Sequence, residues 1–77
     1  MDFETVKTLS GDFVVILEET KGGAYLCVFP KGEQLILAPT ELDHESFSEY
    51  SDEDMRVTLK QRQAIKAYYP QADVEAA

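Results

Sequence analysis

Three short apolar runs constrain the fold of this chain more than any other feature. They occupy residues 13–17, 24–29 and 35–38, and turn-forming residues separate them at intervals of about ten positions. The runs contain β-branched and aromatic side chains and are too short for typical helices, which is characteristic of strands. The spacing predicts an antiparallel meander with strands at about 12–18, 24–29 and 34–38.

Glycine and proline mark both connections of this meander. Gly22 and Gly23 lie between the first two runs, and paired glycines accept the positive φ angles of tight hairpins. Pro30 favours the second position of a type I turn, and Gly32 suits the left-handed residue that follows such a turn. Consecutive strands are therefore expected to pair with each other.

A fourth strand is predicted at about residues 3–9, where polar and apolar side chains are mixed. Ser10 and Gly11 would turn this strand into the next one. Its mixed polarity indicates an edge position, at which Lys7 would discourage pairing with other chains.

Both faces of the sheet need cover, because the three runs are apolar at all of their fifteen positions. A sheet with one face in water alternates apolar with polar residues instead. Alternation places Phe13, Val15 and Leu17 on one face and Val14 and Ile16 on the other. One helix covers only one face. Either the sheet curls around the second face, as in a small barrel, or that face meets another subunit or protein.

The predicted helix spans about residues 52–69, with Ser51 as its N-cap. Acidic residues fill its first turn at 52–54 and basic residues follow as far as Lys66, which matches the helix dipole. Pro70 ends the helix, and residues 70–77 are expected to form a frayed tail.

Residues 40–50 form either a short helical turn or a loop in this interpretation. The order of strand, Lys-Gly hairpin, strand and Ala38-Pro39-Thr40-Glu41-Leu42 resembles the later hairpin and following turn of small SH3-like barrels. The resemblance covers about residues 12–43, rests on pattern, and transfers no functional residues. The predicted fold class is α+β: a three- to four-stranded antiparallel meander, strongly curved and SH3-like in pattern, followed by one C-terminal helix, as a single domain over residues 1–69.

Charge restricts the partners of the chain. The net charge is -8 over 77 residues, and seven of the fourteen residues from Glu41 to Asp54 are acidic. A charge of this sign disfavours nucleic acid and anionic membranes and points to a basic protein partner. Small size also makes a homodimer a plausible state, since a single core is barely sufficient at this length.

The start of the chain and its cysteine content predict a cytoplasmic protein. Met1 precedes Asp2 and Glu4 rather than a basic segment and an apolar run, and Cys27 has no second cysteine with which to form an internal disulfide. The apolar runs are far shorter than the roughly 18 residues of a membrane-spanning helix.

Catalytic and metal-binding chemistry has little support in the sequence. His44 is the only histidine, and zinc at this position would need unusual ligation by carboxylates. Asp52 to Asp54 lack the glycine and the distal glutamate of a calcium loop. Cys27 lies in an apolar run, where a thiol stays protonated. We therefore expect no cofactor, no metal and no enzymatic activity.

One basic feature competes with the acidic block. Arg56, Lys60, Arg62 and Lys66 lie near Tyr68 in the predicted helix and offer a weak nucleic-acid interpretation.

The leading hypothesis is a small acidic, non-enzymatic protein-binding module, acting as an adaptor, regulator or inhibitor on a basic partner surface. Acidic residues supply electrostatic steering in this hypothesis, and aromatic residues supply anchors. The predicted contact residues are Asp43, Glu45, Phe47, Glu49, Tyr50 and Asp52. The alternative is a homo-oligomeric structural protein that uses the second apolar sheet face as its interface.

Overall fold

The computed structural model describes residues 3–77 and contains one antiparallel sheet and one α-helix. The elements are β1 (Glu4–Thr8), β2 (Phe13–Glu19), β3 (Tyr25–Val28), β4 (Gln34–Leu37), a 3-10 turn (Pro39–Glu41), β5 (Leu42–Glu49) and α1 (Leu59–Tyr68). The strand order across the sheet is β4-β3-β2-β1-β5. This arrangement confirms the predicted α+β class, with five strands where three or four were expected.

Turn chemistry sets the hairpins as predicted. In the β3–β4 hairpin, the Gly32 amide donates to the Phe29 carbonyl at 2.8 Å, and the Phe29 amide donates to the Glu33 carbonyl at 2.7 Å. Gly32 has φ of 95°, which an L side chain rarely adopts. The 3-10 turn follows directly after β4 of this hairpin.

Strand β1 is an interior strand, not the edge strand that its mixed polarity suggested. It pairs with β2 on one side and with β5 on the other. Thr5 and Val6 are fully buried, whereas Glu4 and Lys7 stay exposed. The prediction of an edge position for β1 is wrong because β5, which the sequence does not predict as a strand, pairs with its second side.

Residues 42–49 form a strand rather than the short helix or loop that was expected for 40–50; helical geometry is limited to the 3-10 turn at Pro39–Glu41. Leu42 is the buried residue that fixes the start of β5 against Thr8. The register then shifts between Thr5 and Lys7 of β1, so the two strands pair on either side of a bulge.

Each face of the sheet carries its own apolar cluster. The outer cluster lies under α1 and has Val15, Leu17 and Val28 at its centre. The inner cluster lies on the opposite face, where Val14 and Cys27 are completely buried. The faces divide as alternation along β2 predicted.

The sheet curls around the inner cluster. Leu37 belongs to one edge strand, β4, and Leu42 and Phe47 belong to the other, β5, yet all three side chains pack in this cluster. The second apolar face is therefore filled by residues of the chain itself, which is the closed alternative of the two that the sequence left open.

The helix begins at Leu59, seven positions after the predicted start near residue 52. Its N-cap is Thr58, whose hydroxyl accepts from the Gln61 amide at 3.1 Å, while the Thr58 amide donates to Gln61 Oε1 at 2.9 Å. This reciprocal capping box satisfies two backbone amides at the start of the helix. The acidic residues that were assigned to a first helical turn instead form turns, in which Asp54 Oδ1 accepts from the Arg56 amide at 2.9 Å.

Residues 70–77 were expected to fray but return to the sheet. Ala72 and Val74 are buried in the outer cluster. Lys66 Nζ also donates to the Ala72 carbonyl at 2.6 Å, which holds the tail against the helix. No helix within residues 3–77 has both the length and the apolar character needed to cross a membrane.

Gln61 joins the helix to the sheet through a completely buried amide. Its Nε2 donates to the carbonyls of Phe13 and Val28, each at 2.9 Å, while Oε1 closes the capping box. The amide nitrogen and the amide oxygen of this side chain therefore both have hydrogen-bond partners. An apolar side chain at this position could not form these bonds.

Gln61→Ala should lower the free energy of unfolding by roughly 2–4 kcal/mol, because it removes the side-chain half of the capping box and the buried hydrogen bonds to the Phe13 and Val28 carbonyls. Gln63→Ala makes the same chemical change at an exposed position of the same helix and should cost less than about 0.5 kcal/mol. Urea denaturation measures both variants, and equal losses would contradict this role for Gln61.

Candidate functional site

The acidic residues predicted to bind a partner lie along the free edge of the sheet. β5 is an outer strand, with β1 on its only paired side. Glu45 and Glu49 are exposed, and Asp43 is half-buried. Glu4 of β1 joins them, since it lies directly opposite Glu49 in the register. We call Glu4, Asp43, Glu45 and Glu49 the acidic edge.

A bulge shapes the acidic edge between Asp43 and Ser48. The Ser46 hydroxyl donates to the Asp43 carbonyl at 2.6 Å and accepts from the Lys7 amide at 2.8 Å. The Glu45 amide donates to Asp43 Oδ1 at 3.1 Å. These contacts hold the backbone of the bulge from within, so the carboxylate of Glu45 projects from a fixed support.

Like charges face each other at one end of this edge. Glu4 and Glu49 are cross-strand partners, an arrangement that destabilises a strand pair. Within residues 3–77 the ion pairs join Asp54 to Arg56 at 2.9 Å and Asp52 to Arg62 at 3.9 Å. No ion pair within residues 3–77 involves the acidic edge, but Lys7 is the cross-strand partner of Asp43 and lowers the negative potential at that end. The potential is most negative at the other end, around Glu4 and Glu49.

Phe47 is only partly available as an anchor. It packs on the inner cluster, with its ring centroid 6.1 Å from that of Tyr25 and 5.5 Å from the imidazole of His44. Phe47 keeps only partial exposure, on the strand that also carries Glu45 and Glu49.

Tyr50 lies on the opposite face from Phe47. Its ring packs edge-on against Phe3 in the outer cluster, with centroids 6.0 Å apart. Positions 47 and 50 differ by an odd number, and an extended chain turns such residues to opposite sides. The structure therefore does not bring the two predicted aromatic anchors together.

Asp52 forms hydrogen bonds with both Tyr50 and the helix residue Arg62. The Tyr50 hydroxyl donates to Asp52 Oδ1, and the Arg62 guanidinium donates to the Asp52 carbonyl at 2.6 Å. Burial, and then the hydrogen bond to Asp52, raise the pKa of Tyr50 to about 12. These contacts hold the segment between β5 and α1 in place.

The groups with catalytic or metal-binding potential are engaged elsewhere. His44 Nε2 lies 2.8 Å from the Pro39 carbonyl oxygen. Burial, followed by the charge of Glu41, raises the pKa of the Cys27 thiol to about 11. Among residues 3–77, no three His, Cys, Asp or Glu side chains are grouped to hold a metal ion.

The basic residues of the second half of the chain do not form a free patch. Arg56 and Arg62 pair with aspartates, and the Lys66 ammonium binds the Ala72 carbonyl. Lys60 stays exposed, close to Gly32. The nucleic-acid interpretation thus loses the cluster of cations on which it depended.

Comparison with known proteins finds no matching family model, no matching curated protein and no matching solved structure.

The unfolding free energy should fall as the pH rises from 10 to about 12. The folded chain keeps the proton of Tyr50 up to a pKa of about 12, whereas the unfolded chain releases it near 10, so the stabilisation is complete below pH 10 and lost through this window. Tyr50→Phe cannot lose this contribution and should show a shallower decline. Urea midpoints measured across this pH range test the expectation, and parallel declines in both proteins would contradict it.

Proposed function

We propose that this protein is a small non-enzymatic binding module that engages a basic surface of another protein through the acidic edge. The observation that carries the proposal is the row of carboxylates along β5 and β1, which has no ion pair within residues 3–77 and includes the opposed pair Glu4 and Glu49. An adaptor, regulator or inhibitor would use such a surface.

Electrostatics favours a basic partner over other partners. A lysine or arginine placed between Glu4 and Glu49 relieves their repulsion and also gains attraction, so binding and strand pairing support each other. The net charge of -8 adds long-range steering toward a cationic surface. The exposed part of Phe47 supplies apolar contact beside the carboxylates.

Tyr50 and Asp52 stay predicted contact residues, but their internal contacts give them a part in holding the fold. The surface proposed for binding is centred on Asp43, Glu45, Phe47 and Glu49, with Glu4 added. A location in the cytoplasm, where a lone thiol such as that of Cys27 stays reduced, belongs to the same proposal.

The alternative of a homo-oligomeric structural protein has less support in its original form. It requires the second sheet face as an interface, and that face is occupied by the inner cluster. Val6, Val14 and Cys27 are completely buried there without another chain.

A charge-matched pair of variants tests the proposal. The edge variant carries Glu4→Gln, Asp43→Asn, Glu45→Gln and Glu49→Gln. The control variant carries Asp12→Asn, Glu19→Gln, Glu33→Gln and Glu53→Gln, which removes the same charge from exposed positions elsewhere. A protein partner captured from the host on the immobilised wild-type chain serves as the probe.

The association rate of that partner should fall by about tenfold or more in the edge variant at low salt, and by much less in the control. Raising the ionic strength should reduce the wild-type rate toward that of the edge variant. The edge variant should also unfold at equal or higher urea concentration, since the Glu4–Glu49 repulsion is gone. Equal rates for the edge variant and the control would contradict the proposal.

A further inference from the structure

The two free edges of the sheet differ sharply in how they are protected. The β5 edge carries three carboxylates and a bulge that interrupts regular pairing, two features that prevent another strand from adding to a sheet. The β4 edge has neither. It reads Gln34-Leu35-Ile36-Leu37, without charge, proline or register shift. Leu35 is 50% exposed and Ile36 is 64% exposed.

The backbone of β4 presents a defined set of free hydrogen-bonding groups. Phe29 and Glu33 form a hydrogen-bonded pair at the hairpin, and such pairs alternate along an antiparallel ladder. The amides and carbonyls of Leu35 and Leu37 therefore point to β3, and those of Gln34 and Ile36 point away from the sheet. The next outward amide, that of Ala38, is already occupied, because it donates to Glu41 Oε2 at 2.8 Å.

We propose that β4 pairs with β4 of a second copy of this chain, antiparallel and centred on Leu35. In this register Gln34 of each copy lies opposite Ile36 of the other, and the two residues exchange both of their hydrogen bonds. The pairing uses the free groups of the edge and leaves the capped Ala38 amide undisturbed. The two Leu35 side chains meet across the two-fold axis as a cross-strand pair.

The chemistry of the edge favours a second copy over a basic strand from another protein. Positions 34–38 offer no carboxylate to a lysine or arginine, whereas the acidic edge on the far side does. Two neutral strands of identical sequence bring no like charges into opposition at the axis. The contact is small, below the roughly 1,200 Å² of a standard interface, so the dimer is expected to be weak and in rapid exchange.

The pairing itself does not depend on the proposed function, whereas its effect on partner binding does. Two sheets would join into one with ten strands, with an acidic β5 at each outer end. A partner with two basic sites would then bind with a gain in avidity.

Sedimentation of the purified chain from ~1 μM to ~1 mM, the range appropriate to a small interface, tests the pairing. The 8.7 kDa monomer should convert to a dimer within this range. Ile36→Lys should raise the dissociation constant by at least about tenfold, because it places like charges beside the axis. Ile36→Pro should do the same by removing one outward amide, a change that an edge strand tolerates.

Met55→Lys is the matched control, since Met55 is 96% exposed in the segment between β5 and α1 and its substitution should leave the dimer unchanged. Amide hydrogen exchange supplies a second readout that does not depend on variants. The amides of Gln34 and Ile36 should become protected as concentration rises, while those of Leu35 and Leu37 are protected throughout. A monomer at all concentrations, a dimer that survives Ile36→Lys, or a dimer in which the Gln34 and Ile36 amides stay unprotected would overturn the proposal.

Discussion

The buried amide of Gln61 is the interaction on which the arrangement of the helix depends. It binds carbonyls on β2 and β3 and also completes the capping box of α1, so one side chain fixes where the helix begins and how it lies on the sheet. A purely apolar contact would allow the helix to slide or rotate at little cost. The hydrogen bonds allow one position only, because any other leaves buried polar groups unpaired. The segment of residues 51–57 and the C-terminal tail then pack around a helix that is already placed.

The acidic edge depends on this arrangement indirectly. Arg62 projects from α1 to Asp52, and Asp52 accepts from Tyr50, the residue that follows β5. The end of β5 is thereby tied to the helix, while the bulge at Ser46 ties its middle to β1. Carboxylates that repel one another stay aligned because the backbone beneath them is held from both sides. The carboxylates of the acidic edge therefore lie on a supported strand rather than on a solvated loop.

Much of the sheet could be predicted from sequence because alternation and turn chemistry are local signals. The faces of β2 and β3 follow from the identities of adjacent residues, and Gly32 marks the β3–β4 hairpin.

The sequence prediction misplaces the start of the helix because aspartates stabilise loop turns as well as the first turn of a helix. The spacing of Thr58 and Gln61 was the better signal, since a hydroxyl followed three positions later by a glutamine is a capping box. The sequence does not predict β5 as a strand because its strand-forming residues are few and its bulge breaks the alternation of apolar and polar residues. The acidic residues of the candidate site could therefore be predicted from composition. Their position along a sheet edge could not, because it depends on the pairing of β1 with β5, which is far away in sequence.

The strand order has a consequence for how the chain reaches this fold. Strands β1 to β4 are joined by short hairpins and require only contacts between neighbours in sequence, but β5 returns past three strands to pair with β1. Thr5 and Ser48, which are directly opposed, are 43 positions apart. Closing so long a loop has an entropic cost that is recovered only once Leu42 and Phe47 cover the inner cluster. Until that step, the meander leaves the β1 edge and one apolar face open to water. We expect the pairing of β5 with β1 to be the slowest event in folding, and this event also removes the surface most prone to aggregation.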